Sequence, residues 1–430
     1  MEQACMSRSI VIVGGGAGGA ELAAMLGRRS RRLNIEVTLI DHAVRHFWKP
    51  RLHEVAAGLG GEGDAISYLA LARANHFRFR LGSLMYLDAE ARILGLDAVT
   101  NEQGKLLLPK RVLPYDTLVL AVGSQVNDFG TPGVREHCLL LDDSARALSF
   151  QKHLFEALVQ VSQGASERLR IGIVGAGATG VELAAELCNS IRAVQDSTGL
   201  IAAEQLEVTV IDMADRPLAN NAPAVSKFAE RALAKLGVTL RLNSGVAQVT
   251  EHGFVLKDGQ TVPCDLKIWA SGVIGLPLAA DLNLTLDRSR RILCDENLRC
   301  VGEEDLYALG DCAYVFDPKT ERALPCTAQV AHQQANYLAR HLARKPRDGA
   351  SKPFRYRDRG SLVSFGAIST AGEVPLHKQR AWTFNGYFAR VGYLMLQFMH
   401  RATLLGWRKT LTLTFADALK RTAAPPVKLH

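Results

Sequence analysis

Short runs of Ile, Val and Leu, each ending in a turn of small residues, recur along the chain. Ser9 to Val13 is such a run; it enters GGGAGG, after which AELAAMLG has the composition of a helix. An unbroken apolar run of this kind suits a parallel strand buried on both faces. A second strand is predicted from Glu36 to Ile40, closed by Asp41. The same order returns downstream as Leu169 to Val174, GAGATG, the helical VELAAELCNSI, and Glu207 to Ile211 closed by Asp212. Three more apolar runs end in small-residue turns: Tyr115 to Ser124 (YDTLVLAVGS), Ile268 to Gly272 (IWASG) and Asp305 to Gly310 (DLYALG), the last stopping at Asp311. The pattern predicts an α/β protein with two Rossmann-like units.

Each Gly-rich turn fits G-x-G-x-x-G, with Gly14, Gly16 and Gly19 in the first and Gly175, Gly177 and Gly180 in the second. The first glycine permits the sharp turn, the second lets backbone approach a pyrophosphate, and the third lets helix pack on strand. The helix N-terminus then offers free N–H groups and positive dipole charge to phosphates. Asp41 and Asp212, at the ends of the second strands, suit hydrogen bonds from ribose hydroxyls. A single such turn also occurs without any ligand; two complete copies imply two dinucleotides. A carboxylate at 212 would repel a 2′-phosphate, which favours NADH over NADPH, while Arg216 nearby is either a surface residue or a counterweight. The Gly310–Asp311 pair suits a carboxylate placed on the ribityl chain of a flavin.

Length, composition and charge narrow the class. At 430 residues the chain has room for two or three domains, and 48% hydrophobic with 22% charged residues describes a folded protein. The net charge of +8 would suit nucleic acid, anionic lipid or acidic ligands, but no Lys/Arg run interleaved with aromatics points to nucleic acid. The eight cysteines form no CxxC and no zinc spacing, and His42, His46 and His53 lack metal-ligand spacing, so no metal is expected. The polar N-terminus MEQACMSRS reads as the approach to the first strand and not as a signal peptide, and no apolar run is long enough to span a bilayer.

These segments together resemble the pyridine-nucleotide-dependent flavoprotein superfamily. DHAVRHFWKPRLHEVAAG, GSLVSFGAIST, CTAQVAHQQA and the C-terminal KLH are similar to bacterial type II NADH dehydrogenase, the single-subunit NADH:quinone oxidoreductase, over essentially the whole chain. The resemblance implies FAD at Gly14, Gly16, Gly19, Asp41 and Asp311, with Lys49, Gly123 and Ala328 also on the cofactor, the lysine and the alanine backbone near the flavin ring. It implies NADH at Gly175, Gly177, Gly180 and Asp212, Glu182 facing nicotinamide and flavin, and Gln329 and Gln333 at a quinone pocket. Two positions depart from the family: Asp stands at 212 where Glu is usual, and Cys326 replaces another residue just before the quinone segment. The implied activity is non-proton-pumping transfer from NADH through FAD to a membrane quinone. The neighbouring activities are sulfide:quinone oxidoreduction, which needs two cysteines flanking the flavin, and disulfide reduction, which needs a CxxxxC that is absent. An NADH-sensing flavoprotein that works by interaction is the alternative from another class.

The implied organisation is a discontinuous FAD domain (1–140 and 276–345) around an NADH domain (141–275), followed by a C-terminal region (346–430) for membrane association or dimerisation. Glu182 also has a plainer role as a helix dipole partner, Gln329 and Gln333 as solvated glutamines, and His332 as a helix-surface residue. From about Ala381 the chain is dense in aromatics, Leu and Met. If Tyr387 to Trp407 is helical, Arg390, Gln397, Arg401 and Arg408 share one line and Phe388, Val391, Met395 and Met399 another. A basic amphipathic helix with aromatics suits the bilayer interface, on the cytoplasmic face of the inner membrane in this family; packing on the protein body or in a homodimer is the alternative, and Gly386, Gly392 and Gly406 argue against one long helix.

Overall fold

The computed structural model describes residues 7–198, 202–344, 352–366, 370–375 and 381–423. The C-terminal KLH and parts of the GSLVSFGAIST segment lie outside the described residues.

The first unit runs β1 (Arg8–Val13), α1 (Ala17–Gly27), β2 (Ile35–Asp41), β3 (Arg78–Leu81) and β4 (Thr117–Leu120). The second runs β5 (Leu139–Leu140), β6 (Leu169–Val174), α2 (Ala178–Thr198), β7 (Leu206–Ile211), β8 (Val238–Arg241) and β9 (Leu266–Trp269). The chain then returns through β10 (Leu306–Ala308) to α3 (Ala328–His341). Two parallel five-stranded sheets result, ordered β10-β4-β1-β2-β3 and β5-β9-β6-β7-β8. The unbroken apolar runs are explained by burial: Ile10, Ile12, Leu39, Leu118 and Leu120 in one sheet, and Ile173, Val210 and Ile268 in the other, are fully enclosed.

Register decides where the site lies. Val13 pairs with both Ile40 and Leu120, and Leu120 pairs with Ala308. Gly14, Asp41, the Ala121–Gly123 turn and Gly310–Asp311 therefore all leave the sheet at its carboxyl edge. Val174 likewise pairs with Ile211 and Trp269, which brings Gly175, Asp212 and Ala270 to one edge of the second sheet. Ligands of open α/β sheets bind in that crevice.

Sequence patterning did not reveal the three-stranded antiparallel sheet of β11 (Ser361–Ser364), β12 (Thr370–Pro375) and β13 (Ala381–Asn385). It precedes two helices, α4 (Tyr387–Leu405) and α5 (Trp407–Ala423). Gly386 caps α4 and Gly406, at φ +82°, separates the two, whereas Gly392 sits inside α4. The polar line is split: Arg390, and Arg408 at the start of α5, stay exposed, while the rest of it turns inward. Gln397 and Arg401 face a small cavity against the first unit, Arg401 also pairs with Asp417 of α5, and Val391, Leu394, Met395 and Met399 point outward. No helix among the described residues is long and apolar enough to cross a membrane.

Candidate active site

The two Gly-rich turns are built alike. Gly14 has φ +103° and Gly175 φ +111°, conformations costly for any side chain, and a Cβ on either would strike the backbone of Ala121 or Ala270. A Cβ on Gly19 would lie 1.9 Å from the Gly14 carbonyl oxygen, and one on Gly180 the same distance from that of Gly175. These four glycines are demanded by the protein itself. Gly16 and Gly177 are not: each has negative φ space and no atom within 4 Å of a built Cβ. The room beside them is what a dinucleotide pyrophosphate needs.

The acids repeat the symmetry. Asp41 accepts the Gly15 N–H at 2.6 Å and the Ala43 N–H at 2.8 Å; Asp212 accepts those of Ala176 at 2.5 Å and Ala214 at 2.8 Å. Two backbone bonds fix each carboxylate beside its Gly-rich turn, at the carboxyl edge of its sheet. Arg216 is turned away from that position, because its guanidinium donates to the carbonyls of Ala219 and Asn221 and to Ser226 Oγ. It is not a free surface arginine, since its guanidinium is engaged by its own loop.

Lys49 and Asp311, distant in sequence, meet at Ser124. Lys49 Nζ donates to the Ser124 carbonyl at 3.3 Å, and Ser124 Oγ donates to Asp311 Oδ2 at 3.0 Å. Gly123, at φ +78°, has Lys49 Nζ as its nearest outside atom. Gly310 is held by Gln334, whose buried Oε1 accepts its N–H at 2.6 Å. Ala328 opens α3 behind the Thr327 cap, so its N–H has no acceptor within the helix. Gly123, Lys49, Asp311 and Ala328 thus frame one crevice whose donor set fits a flavin: a cation, a carboxylate for hydroxyls, and helix-end amides. Gln334 and Ser124 escaped notice in the sequence, where neither burial nor the turn they brace is visible. Cys326 lies beside this group, and burial pushes its thiol up to about 11, which keeps it protonated at neutral pH.

Glu182 lies in the second turn of α2 and is 8% exposed, so it is not a solvated dipole partner. Its carboxyl accepts the Ser364 N–H at 2.9 Å, joining the second unit to β11. Burial, reinforced by Glu186 and Glu54, pushes it up to about 8 in spite of that bond, and burial takes Glu186 to about 7. His53 Nδ1 stands 3.6 Å from Glu182, and burial drops that imidazole to about 4. Glu182, Glu186 and His53 thus form a buried group in which burial favours the neutral forms. Tyr393 of α4 packs near the same acids.

Gln329 and Gln333 share a face of α3, Gln333 Nε2 donating to Gln329 Oε1 at 3.4 Å. Both amides also clasp one backbone segment: Gln329 Oε1 accepts the Arg359 N–H and its Nε2 donates to the Gly360 carbonyl, while Gln333 does the same with Arg357. Both are half-buried, with their amides engaged by backbone. His332, between them, is also no plain surface residue, since its Nδ1 bonds Glu21 at 2.6 Å. His42, His46 and His53 form no cluster able to hold a metal, and no such cluster exists among the described residues.

The model of the pyridine nucleotide-disulphide oxidoreductase family matches residues 8–335. The chain is 33% identical to the type II NADH:quinone oxidoreductase of Haemophilus influenzae, covering 98% of this chain and all of that one. It is 30% identical to the type II NADH:quinone oxidoreductase NdhA of Mycobacterium tuberculosis, over 95% of this chain and 86% of that one. Among solved structures, NDH2 of Plasmodium falciparum in complex with NADH superposes with a TM-score of 0.82 at 19% identity, over 97% of this chain and 98% of that one. The sulfide:quinone oxidoreductase of Aquifex aeolicus gives 0.72 at 17% identity, over 96% and 95%. At these identities the two structures establish the fold.

Proposed function

The chain belongs to the pyridine nucleotide-disulphide oxidoreductase family and, within it, to the type II NADH:quinone oxidoreductases, and from that premise we infer that it oxidises NADH and reduces a quinone with FAD as resident carrier. The single observation that best supports the reading is the pair Gly16 and Gly177, side-chain-free without any demand from the protein's own packing. Each leaves open space at a helix N-terminus, where a phosphate would meet free N–H groups.

When bound, FAD supplies the two-electron acceptor that takes hydride from NADH and later returns electrons to quinone. The chain's part is placement and proton handling. Gly14, Gly16, Gly19 and Asp41 would hold the adenine half of FAD; Gly123, Lys49, Asp311 and Ala328 its flavin half. Gly175, Gly177, Gly180 and Asp212 would hold NADH, and the turned-away Arg216 supports preference over NADPH. Glu182, protonated at neutral pH by its burial, is suited to lend a proton or orient the nicotinamide amide. Gln329 and Gln333 are suited to donate to quinone carbonyl oxygens after exchanging their bonds to 357–360.

We divide the chain at 1–140, 141–275, 276–345 and 346–430; the return to the first sheet at β10 supports the discontinuous FAD domain, while β5 (Leu139–Leu140), just before the first boundary, pairs in the second sheet. The outward apolar face of α4 and α5, with Met395, Met399, Trp407, Leu411 and Phe415 exposed, supports association with a membrane surface, where a lipid-soluble quinone is met, or with a second subunit. We place the protein peripherally on the cytoplasmic face. Sulfide oxidation has less support: the thiols closest to Asp311, Cys312 and Cys326, are pushed up by burial to about 12 and about 11, far from the thiolate such chemistry uses.

Steady-state assay of the purified protein with a short-chain quinone separates these readings. NADH should be oxidised at least about tenfold faster than NADPH, the scale of one unfavourable phosphate contact, and sulfide should give no turnover. Faster reduction by sulfide than by NADH would overturn the inference.

A further inference from the structure

A buried line of hydrogen bonds runs from the first Gly-rich turn to the C-terminal helix α4, and the catalytic reading above leaves it unused. His46 Nδ1 lies 2.8 Å from the Gly15 carbonyl oxygen. His46 Nε2 lies 2.8 Å from His400 Nε2, His400 Nδ1 is 2.7 Å from Glu21 Oε1, and His332 Nδ1 is 2.6 Å from Glu21 Oε2. Asn336 Nδ2 closes the line, 3.1 Å from His332 Nε2 and 2.8 Å from the His332 carbonyl.

The chemistry of the partners fixes every proton. A carbonyl only accepts, so His46 carries its proton on Nδ1, and its Nε2 must accept from His400 Nε2–H. Burial lowers the His46 imidazole to about 3, which agrees with a neutral ring. Asn336 Nδ2 donates to a carbonyl and so donates to His332 Nε2 as well; His332 is then neutral and gives Nδ1–H to Glu21. With His400 Nε2–H already committed, one proton remains between His400 Nδ1 and Glu21. Burial would raise the Glu21 carboxyl, but the bonds from His332 and His400 outweigh it and hold it below the ordinary carboxylate range. That proton is shared along the 2.7 Å bond between His400 Nδ1 and Glu21 Oε1, with Glu21 1% exposed.

Only His400 comes from α4, and it stacks on Trp48, next to Lys49. Gly15 is gripped on all sides: its N–H by Asp41, its carbonyl by His46 and by Tyr68 Oη at 2.6 Å. That carbonyl cannot turn toward a bound pyrophosphate while both donors hold it.

We propose that α4 completes the FAD site, with His400 a positioning residue that fixes the Gly15 peptide through His46 and makes flavin retention depend on the docked helix. The proposal rests on the assignment of FAD to the first Gly-rich turn. Linkage makes it reciprocal: whatever FAD gains from docked α4, α4 gains from bound FAD. Arg28, which donates to the Thr403 carbonyl, and Asn75, which donates to that of Leu404, hold the far end of α4 to the same unit without touching Gly15.

The test is flavin release from the full-length holoprotein, followed by the rise in free-flavin fluorescence on dilution, beside tryptic cleavage within 387–423 of flavin-loaded and flavin-free protein. His400→Leu should release FAD about tenfold faster, the effect of one charge-assisted bond. His46→Leu should do the same, and the double variant should be no faster than either, because both cut one line. Bound FAD should slow cleavage of α4 in the wild type and not in His400→Leu. Should His400→Leu fail to fold, His46→Leu alone carries the same release and cleavage comparison with α4 intact. Release at the wild-type rate, or effects of the two substitutions that multiply, would overturn the proposal. A Gly16→Ala chain that keeps its flavin like the wild type would instead remove the cofactor assignment, and the proposal with it.

Discussion

The Glu182 carboxyl accepts the Ser364 N–H at 2.9 Å, and this bond ties the second nucleotide-binding helix to the sheet that carries the C-terminal region. A carboxyl so enclosed prefers its proton. Because its folded value, about 8, lies above the ordinary 4.5, its contribution to stability is complete below about pH 4.5 and is lost as pH climbs to 8. Glu186, raised to about 7, acts in the same direction. Thermal unfolding of Glu182→Gln should match the wild type near pH 5 and exceed it by roughly 3 °C or more at pH 9. Equal pH dependence in the two proteins would mean that the carboxyl is ionised or hydrated.

Gly16→Ala and Gly177→Ala should both fold with near wild-type unfolding temperatures, since neither new methyl meets an atom within 4 Å. Their defects should separate. The first should lower the flavin content of purified protein. The second should keep the flavin and raise KM for NADH by about tenfold or more, the scale of a displaced phosphate contact. Flavin absorbance and NADH titration read the two directly.

Gln329→Leu with Gln333→Leu should slow reoxidation of reduced flavin by quinone about tenfold and spare its reduction by NADH. Four bonds to 357–360 are also lost, so the unfolding temperature should fall. Rapid-mixing measurement of each half-reaction distinguishes this from the reverse pattern, which would remove the quinone assignment.

A chain ending at Asn385 retains β13 and its pairing with β12, whereas one ending before Ala381 breaks that sheet. With FAD supplied throughout, the chain ending at Asn385 should still be bleached by NADH yet remain in the supernatant with anionic lipid vesicles, which should carry the intact protein down. Sedimentation of the truncated chain would show that the outward face of α4 and α5 is not the membrane contact.

Much of this arrangement was legible in the chain because it is local. Each Gly-rich turn lies between its own strand and helix, and Asp41 and Asp212 end strands whose apolar runs announce them. What escaped depends on contacts between distant residues. His46 and His400 are too far apart for any spacing to suggest that they share a proton. The direction of α4 was also hidden, since periodicity shows two faces and not which one the body covers: Gln397 and Arg401 are claimed by the first unit and Asp417, so the apolar face is left outside. The strands of the C-terminal sheet are short and follow no Gly-rich turn, so the apolar density after Ala381 read as helix alone.

The most direct measurement is anaerobic rapid mixing of the purified protein with NADH, then with a short-chain quinone, while the flavin band is followed. A yellow protein is expected, whose flavin absorbance bleaches with NADH and returns on addition of quinone. A colourless protein that takes up no flavin, or a flavin that NADH leaves oxidised, would contradict it.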